Sequence, residues 1–340
     1  MKRRQFITLL SSTVALPLNA LLPSLLTATP SLSAYDKSPA RIGWLKIQGA
    51  RHTPGQLQAF REGMRAHGLV EGRNYVLEER YADGDESRLP GLAAELLKSG
   101  VSIIVATSQP SIAAAVRVTK DVAVIGRMVD DPVPNGMARS MARPGGNVTG
   151  IYTMTEEMNP KRLALLKEVA PSVRRVGVLL RQDFPNKADV EHAWQVEVAA
   201  ARQLALELDA LDARSAEDVT AVFQQAAAKN LDGIITFRNP TVVTYLKRVA
   251  ELCRRYRLPA VFDAREYVEA GGLMSYGPNI DATYRQLASY VDKLLHGTSP
   301  GELPIEQPTT FEMVINRETA KTLGLAIPPT LLARADEVIK

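Results

Sequence analysis

The sequence predicts an α/β protein made of two doubly wound parallel-sheet lobes joined by about three hinge crossovers. Three observations lead there. Short β-rich runs alternate with helical stretches from Arg41 to Ile151, and the same rhythm restarts at Lys161. Such alternation argues for βαβ units and parallel sheets. Proline and glycine then cluster where the chain would change lobe, in Arg143–Gly150, at Gly277-Pro278, and at Pro304 and Pro308. With 340 residues, 46% hydrophobic and 23% charged, there is material for two sizeable cores.

The first segment reads as an address. Lys2, Arg3 and Arg4 precede a charge-free apolar stretch to about Leu26, and the small residues Ala28, Ser33 and Ala34 offer cleavage points. That order describes an export signal over residues 1–34. Arg3-Arg4 with Phe6 fits the twin-arginine variant in part, since no Ser or Thr precedes the pair and no Lys follows Ile7. Pro17, Asn19 and Pro23 weaken the alternative of a retained spanning helix. The formal charge of +4 comes mostly from this segment; beyond residue 34, 38 basic residues face 37 acidic ones. A near-neutral body gives no electrostatic reason to expect nucleic acid or an anionic membrane as partner.

The first set of elements opens with a strand at Arg41–Ile47 and a helix at Gly55–Ala66. Strands at Tyr75–Tyr81 and Ser102–Ala106 enclose a helix at Leu89–Lys98. A helix at Ile112–Val118 leads to strands at Val122–Arg127 and Asn147–Ile151. In the second set, Lys161–Val169 is helical and Arg175–Leu180 a strand. Val190, Trp194, Val198, Ala201, Ala205 and Leu208, spaced by three and four, predict one helix through Leu208. Strands follow at Gly233–Phe237, Ala260–Phe262 and Leu273–Tyr276, and a helix at Ala282–Leu295. A later helix and strand find a place only if the chain crosses back. This assigns 38–152 plus 278–306 to a first lobe and 153–277 plus 309–340 to a second. No sequence-level repeat relates them.

The usual catalytic signatures are absent: no phosphate loop, no G-x-G-x-x-G and no G-x-S-x-G elbow. His52, His67, His192 and His296 lack a second histidine at metal-ligand spacing, and the single Cys253 excludes an intrachain disulfide and a cysteine-cluster metal site. No cofactor is expected. Asp130-Asp131 reads as a turn opener before Pro132 or as a ligand contact; paired acid–base work is disfavoured because adjacent side chains on an extended chain diverge. Gly145-Gly146 reads as a hinge turn. Thr107-Ser108-Gln109-Pro110-Ser111 follows a strand and opens a helix, a place where a ligand carboxylate could accept N–H bonds or where capping alone explains the residues.

Several stretches resemble one family from end to end and in order. They are Asp130-Asp131-Pro132-Val133, Arg143-Pro144-Gly145-Gly146-Asn147-Val148-Thr149-Gly150, Ala270-Gly271-Gly272-Leu273-Met274-Ser275-Tyr276-Gly277, Phe311–Asn316 and Ala320–Leu325. The family is the ABC transporter substrate-binding proteins related to the tryptophan/tyrosine uptake binding proteins. The resemblance implies a type I periplasmic binding-protein fold, a small-molecule ligand between the lobes, and a partner ABC permease in the inner membrane. It places Asp131 and the Thr107–Ser108 turn on the cleft. Ser108-Gln109-Pro110 departs from the Gly-Thr-Pro-like sequence of many relatives, as does Arg127-Met128-Val129 from their smaller residues, so the ligand's identity does not carry over.

Ligands of open α/β sheets bind outside the carboxyl ends of the strands, and two such edges facing across a hinge form a cleft. The first lobe then offers Gln48, Thr107, Ser108 and Asp131. The second offers Phe184, then Phe237, Arg238 and Asn239, then Asp263 and Arg265, with Tyr276 beside the crossing. An apolar face, a cation and a carboxylate suit an amino acid or a small aromatic or organic acid. The expected protein is an exported, periplasmic monomer that binds and does not catalyse. A ligand-sensing module of a signalling system and a small-molecule enzyme of similar fold remain the alternatives.

Overall fold

The computed structural model describes residues 38–51, 54–154, 157–181, 187–236 and 240–340. The segment 1–34, read above as an export signal, and the expected contacts Phe184, Phe237, Arg238 and Asn239 lie outside them.

The first sheet is built from β1 (Ala40–Lys46), β2 (Tyr75–Tyr81), β3 (Ile103–Ala106), β4 (Ala123–Met128) and β5 (Val148–Tyr152). Its order is β2-β1-β3-β4-β5, all parallel. Helices α1 (Pro54–Ala66), α2 (Leu89–Lys98) and α3 (Gln109–Val118) supply the connections. Alternate side chains of β1 feed two cores. Ile42 and Trp44 join Phe60 and Tyr284 on one face, while Leu45 and Ile47 join Leu96 and Ile112 on the other. A sheet covered on both faces reads as near-continuous apolar strands, which is why these runs were legible.

The second sheet follows α4 (Asn159–Val169). It contains β6 (Arg175–Leu180), β7 (Glu207–Asp212), β8 (Gly233–Thr236), β9 (Ala260–Phe262) and β10 (Met274–Pro278). Between them lie α5 (Lys187–Gln203), α6 (Ala216–Ala228), α7 (Pro240–Thr244), α8 (Leu246–Arg255) and α9 (Arg265–Glu269). After β10 the chain returns as α10 (Ile280–Leu295), whose Tyr284, Leu287 and Val291 fill the core of the first sheet. It then crosses again to β11 (Phe311–Asn316), α11 (Arg317–Leu323), α12 (Pro329–Leu332) and β12 (Glu337–Ile339). The sheet order is β12-β11-β10-β9-β8-β6-β7, and only β10–β11 is antiparallel among these strand pairs.

Three connections join the sheets: 153–158, residue 279, and 307–310. The last two run side by side, with Asn279 N–H donating to the Thr310 carbonyl at 3.0 Å. Two sequence expectations need correction. The apolar stripe does not run as one helix to Leu208: α5 ends at Gln203, Ala205 turns the chain with φ 53°, and Leu208 belongs to β7. Gly145-Gly146 is no hinge. It lies on the surface of the first lobe, between β4 and β5, with Gly145 N–H donating to the Gly301 carbonyl at 3.0 Å. The crossing comes later, after β5. Among the described residues no helix is long and apolar enough to cross a membrane.

Candidate functional site

The first wall forms at the carboxyl ends of β1, β3 and β4. Gln48, Thr107 and Ser108 are buried there. Ser108 is the N-cap of α3: its hydroxyl accepts from Ser111 N–H and shares a 2.8 Å hydrogen bond with the Ser111 hydroxyl, and Pro110 sits in the first turn. Asp131 is exposed and its Oδ1 accepts from Val133 N–H at 2.9 Å, closing a turn across Pro132, while the neighbouring Asp130 is the buried one. Behind them lies a charged layer. Lys46, 3% exposed, donates to Gln56 Oε1 at 2.7 Å. Burial, with the nearby Arg127 cation adding to it, pulls the Lys46 ammonium down to about 7. Arg127 Nε donates to the Thr107 carbonyl at 3.3 Å. The hydroxyl of Tyr284 lies beside both residues, and burial holds its pKa above the ordinary tyrosine value.

The second wall forms at the ends of β8, β9 and β10. Thr236 Oγ1 donates to Asp263 Oδ1 at 3.1 Å. Gly277 lets β10 pass under this corner, because a Cβ there would stand 2.0 Å from the Asp263 carbonyl oxygen. Below it, the fully buried Arg162 donates through Nε to the Tyr276 carbonyl at 2.8 Å and through one terminal nitrogen to Asn159 Oδ1. Burial pushes the Glu197 carboxyl up to about 7, against the pull of Asn159 and Arg162. The Tyr276 ring stacks on Phe311 with centroids 6.4 Å apart. Arg265 is placed differently from expectation: its guanidinium holds Glu269, Glu312 and Glu337 at 2.9, 3.1 and 2.6 Å, tying α9 to β11 and β12.

The walls touch. Gln56 Nε2 donates across to Glu266 Oε1 at 3.4 Å, and burial raises the Glu266 carboxyl. Farther out, Arg181 grips both carboxylate oxygens of Glu86 at 2.5 and 3.3 Å. A cavity of about 290 Å³ opens beside that pair, lined also by Ile47, Gly84, Arg214, Ser215 and Tyr245. The arrangement offers hydrogen-bonding groups of both signs on two surfaces. Among the described residues no three His, Cys, Asp or Glu gather as a metal site. Cys253 is buried and its thiol is pushed far up, so it is no nucleophile.

Lys46, Gln56, Arg162, Glu197 and Glu266 escaped the sequence reading. One signal was available: Lys46 closes an apolar strand, and Arg162 precedes Leu163, Leu165 and Leu166 in an apolar helix. Charged residues in such runs are rarely buried without a partner.

Two α/β lobes, three crossings and facing strand ends define a type I periplasmic binding-protein fold with an interlobe cleft. The chain belongs to the ABC transporter substrate binding protein family, whose pattern it matches over residues 54–339. It is 24% identical over 270 residues to a tyrosine-binding protein of Clostridioides difficile strain R20291, covering 79% of this chain and 76% of that one. An ABC domain of Streptococcus pneumonia in complex with L-Trp superposes with a TM-score of 0.79 at 22% identity, over 89% of this chain and all of the other. A ligand-free, open substrate binding protein with adhesive properties from Clostridium difficile gives a TM-score of 0.64 at 21% identity, over 88% and 99% of the two chains.

Proposed function

We propose that this substrate-binding protein captures an amino acid or a small aromatic or organic acid between its lobes and delivers it, unchanged, to an ABC permease of the inner membrane. The observation that carries the reading is the pair of polar walls that meet across three crossovers. On this reading Gln48, Thr107, Ser108 and Asp131 contact the ligand from the first wall, and Asp263 and Tyr276 from the second; the burial of Gln48, Thr107 and Ser108 at the strand ends supports it. From their sequence positions after β6 and β8, Phe184, Phe237, Arg238 and Asn239 are proposed as further ligand contacts, with Arg265 beside them. The lobes comprise 38–152 plus 278–306 and 153–277 plus 309–340. Residues 1–34 direct export, by the twin-arginine route, to the periplasm, where the mature chain acts as a monomer. The tyrosine-binding relative and the L-Trp complex support aromatic amino acids as first candidates.

Thermal unfolding with L-tryptophan, L-tyrosine and a panel of small acids tests the reading. A ligand at 100 times its Kd stabilises by about 2.7 kcal/mol, a shift of several degrees. The bound compound is expected back intact from the denatured complex. Conversion to another compound on incubation would reject a binding role. A panel without any shift would reject the ligand class.

A further inference from the structure

We infer that Arg127 is a ligand-binding residue whose guanidinium takes the acid group of the captured molecule. The inference rests on the function proposed above and adds a residue and a ligand group to it. Arg127 lies near the carboxyl end of β4, at the first wall, and is half-buried. Alternate side chains of a strand share a face. Arg127 therefore follows Ile125 to the side of the sheet covered by α1 and α10, where Lys46 follows Trp44 from β1. Its Nε donates to the Thr107 carbonyl at 3.3 Å, and the Tyr284 hydroxyl of α10 lies beside it. Arg127 forms no ion pair with any described residue. Glu266, a carboxyl of the facing lobe at this corner, accepts instead from Gln56 Nε2 at 3.4 Å.

A guanidinium only donates, and its edges match the two oxygens of a carboxylate. The bond from Nε fixes the plane of the Arg127 fork against the end of β3, and the Tyr284 hydroxyl can accept from one terminal nitrogen. The remaining N–H groups have no described acceptor. Only an acceptor meets that need, and an anionic one meets it best. The surroundings point the same way. Lys46 is close enough for Arg127 to oppose its charging, so the corner brings two basic groups together. On the second lobe, by contrast, Arg181 and Arg265 already hold carboxylates. The other residues of β4, Ala123 to Gly126 and Met128, are apolar and buried, so leucine or methionine at 127 would extend the packing without leaving a cation unpaired. A ligand carboxylate across the terminal nitrogens of Arg127 supplies the missing acceptor and offsets the repulsion between the two basic groups.

The test titrates the acids of the thermal panel, L-tryptophan and L-tyrosine first, each beside the carboxamide that replaces its acid group, into the parent, Arg127→Gln and Arg127→Lys by calorimetry. The parent should prefer acid to amide. Arg127→Gln should weaken the acids about thirtyfold or more, the scale of one partner removed from a buried charge pair. Its preference for acid over amide should shrink about tenfold or more, because the amides lose a neutral contact only. Arg127→Lys keeps the charge without the fork and should fall between. A structural role, holding the Thr107 turn, would weaken acid and amide alike and lower the ligand-free melting temperature, and that result overturns the inference. So does a parent that binds acid and amide equally, or an Arg127→Gln with the parent's acid preference; in both cases ligand capture between the lobes stands. Should Arg127→Gln not fold, Arg127→Lys decides, and an acid preference undiminished there rejects the inference. If no member of the panel binds the parent, the ligand class proposed above fails and the assignment of its acid group falls with it.

Discussion

Glu197 and Lys46 are buried on opposite walls, and each is displaced toward its neutral form, with opposite consequences for stability. The Glu197 carboxyl titrates near 7 in the folded chain against an ordinary value of 4.5. Between those values the native state holds a proton that the unfolded state has lost, so stability falls as pH rises from about 4.5 to 7. Glu197→Gln should remove that slope. Its advantage over the parent should grow through this window and level off above it at about 3 kcal/mol, the linkage cost of such a displacement. Lys46 works the other way. Folded near 7 and ordinarily 10.5, it is neutral in the native state but charged in the unfolded chain through that interval, so stability rises with pH. Lys46→Met should flatten the rise. Gln56, Arg127 and Glu266 are among the groups facing Lys46, so the variant leaves Glu266 with one cation fewer wherever Lys46 is charged. Urea unfolding at pH 5, 7 and 9 checks both, and slopes identical to the parent's would sink the assignment of these two groups.

At the scale of elements, β4 and β5 meet in a way that only glycine allows. Gly126 and Gly150 pair in register, Gly150 has φ 137°, and a Cβ there would stand 2.1 Å from the Gly126 carbonyl oxygen. Gly150→Ala should cost about 2–4 kcal/mol, from strain at a forbidden dihedral and from parting two strands, read as a fall in melting temperature. An unchanged melting temperature would mean that the strands separate freely there. Other elements were plain in the sequence because local signals and tertiary packing agree. Tyr75–Tyr81, Leu89–Lys98 and Arg175–Leu180 have the expected ends. β7 was missed because its residues continue the helical spacing of α5, and the break rests on Ala205 entering the left-handed region, which alanine sequence does not advertise. The site divides likewise. Thr107 and Ser108 sit where any βα turn meets a cleft, so topology alone exposes them. Arg162 with Tyr276, or Gln56 with Glu266, are partners 114 and 210 residues apart, and no local pattern announces such pairs.

For the whole molecule, the proposed capture of a ligand between the lobes implies closure, and the lever arm decides which contacts would govern it. The crossovers leave from β5, one edge of the first sheet, and from β10 and β11 of the second. Glu86 follows β2 and Arg181 follows β6, toward the opposite edges. Their bidentate pair therefore spans the cleft on the side away from the hinge, where a small rotation separates the groups most. A partly exposed pair of this kind contributes about 1 kcal/mol and is weakened by salt. That is enough to shift an open–closed balance about fivefold. Glu86→Gln should raise the ligand-free radius of gyration in small-angle scattering and, for whichever ligand the thermal panel identifies, speed dissociation about fivefold, with association nearly unchanged. High salt should reproduce this in the parent and add little in the variant. Exchanging the charges, with Glu86→Arg and Arg181→Glu together, should restore closure if attraction between the two groups is what matters. The melting temperature of the ligand-free variants should stay near the parent's, because neither group belongs to a lobe's core. Single variants that scatter and release the probe as the parent does would show that closure rests on the hinge-side contacts, such as that between Gln56 and Glu266.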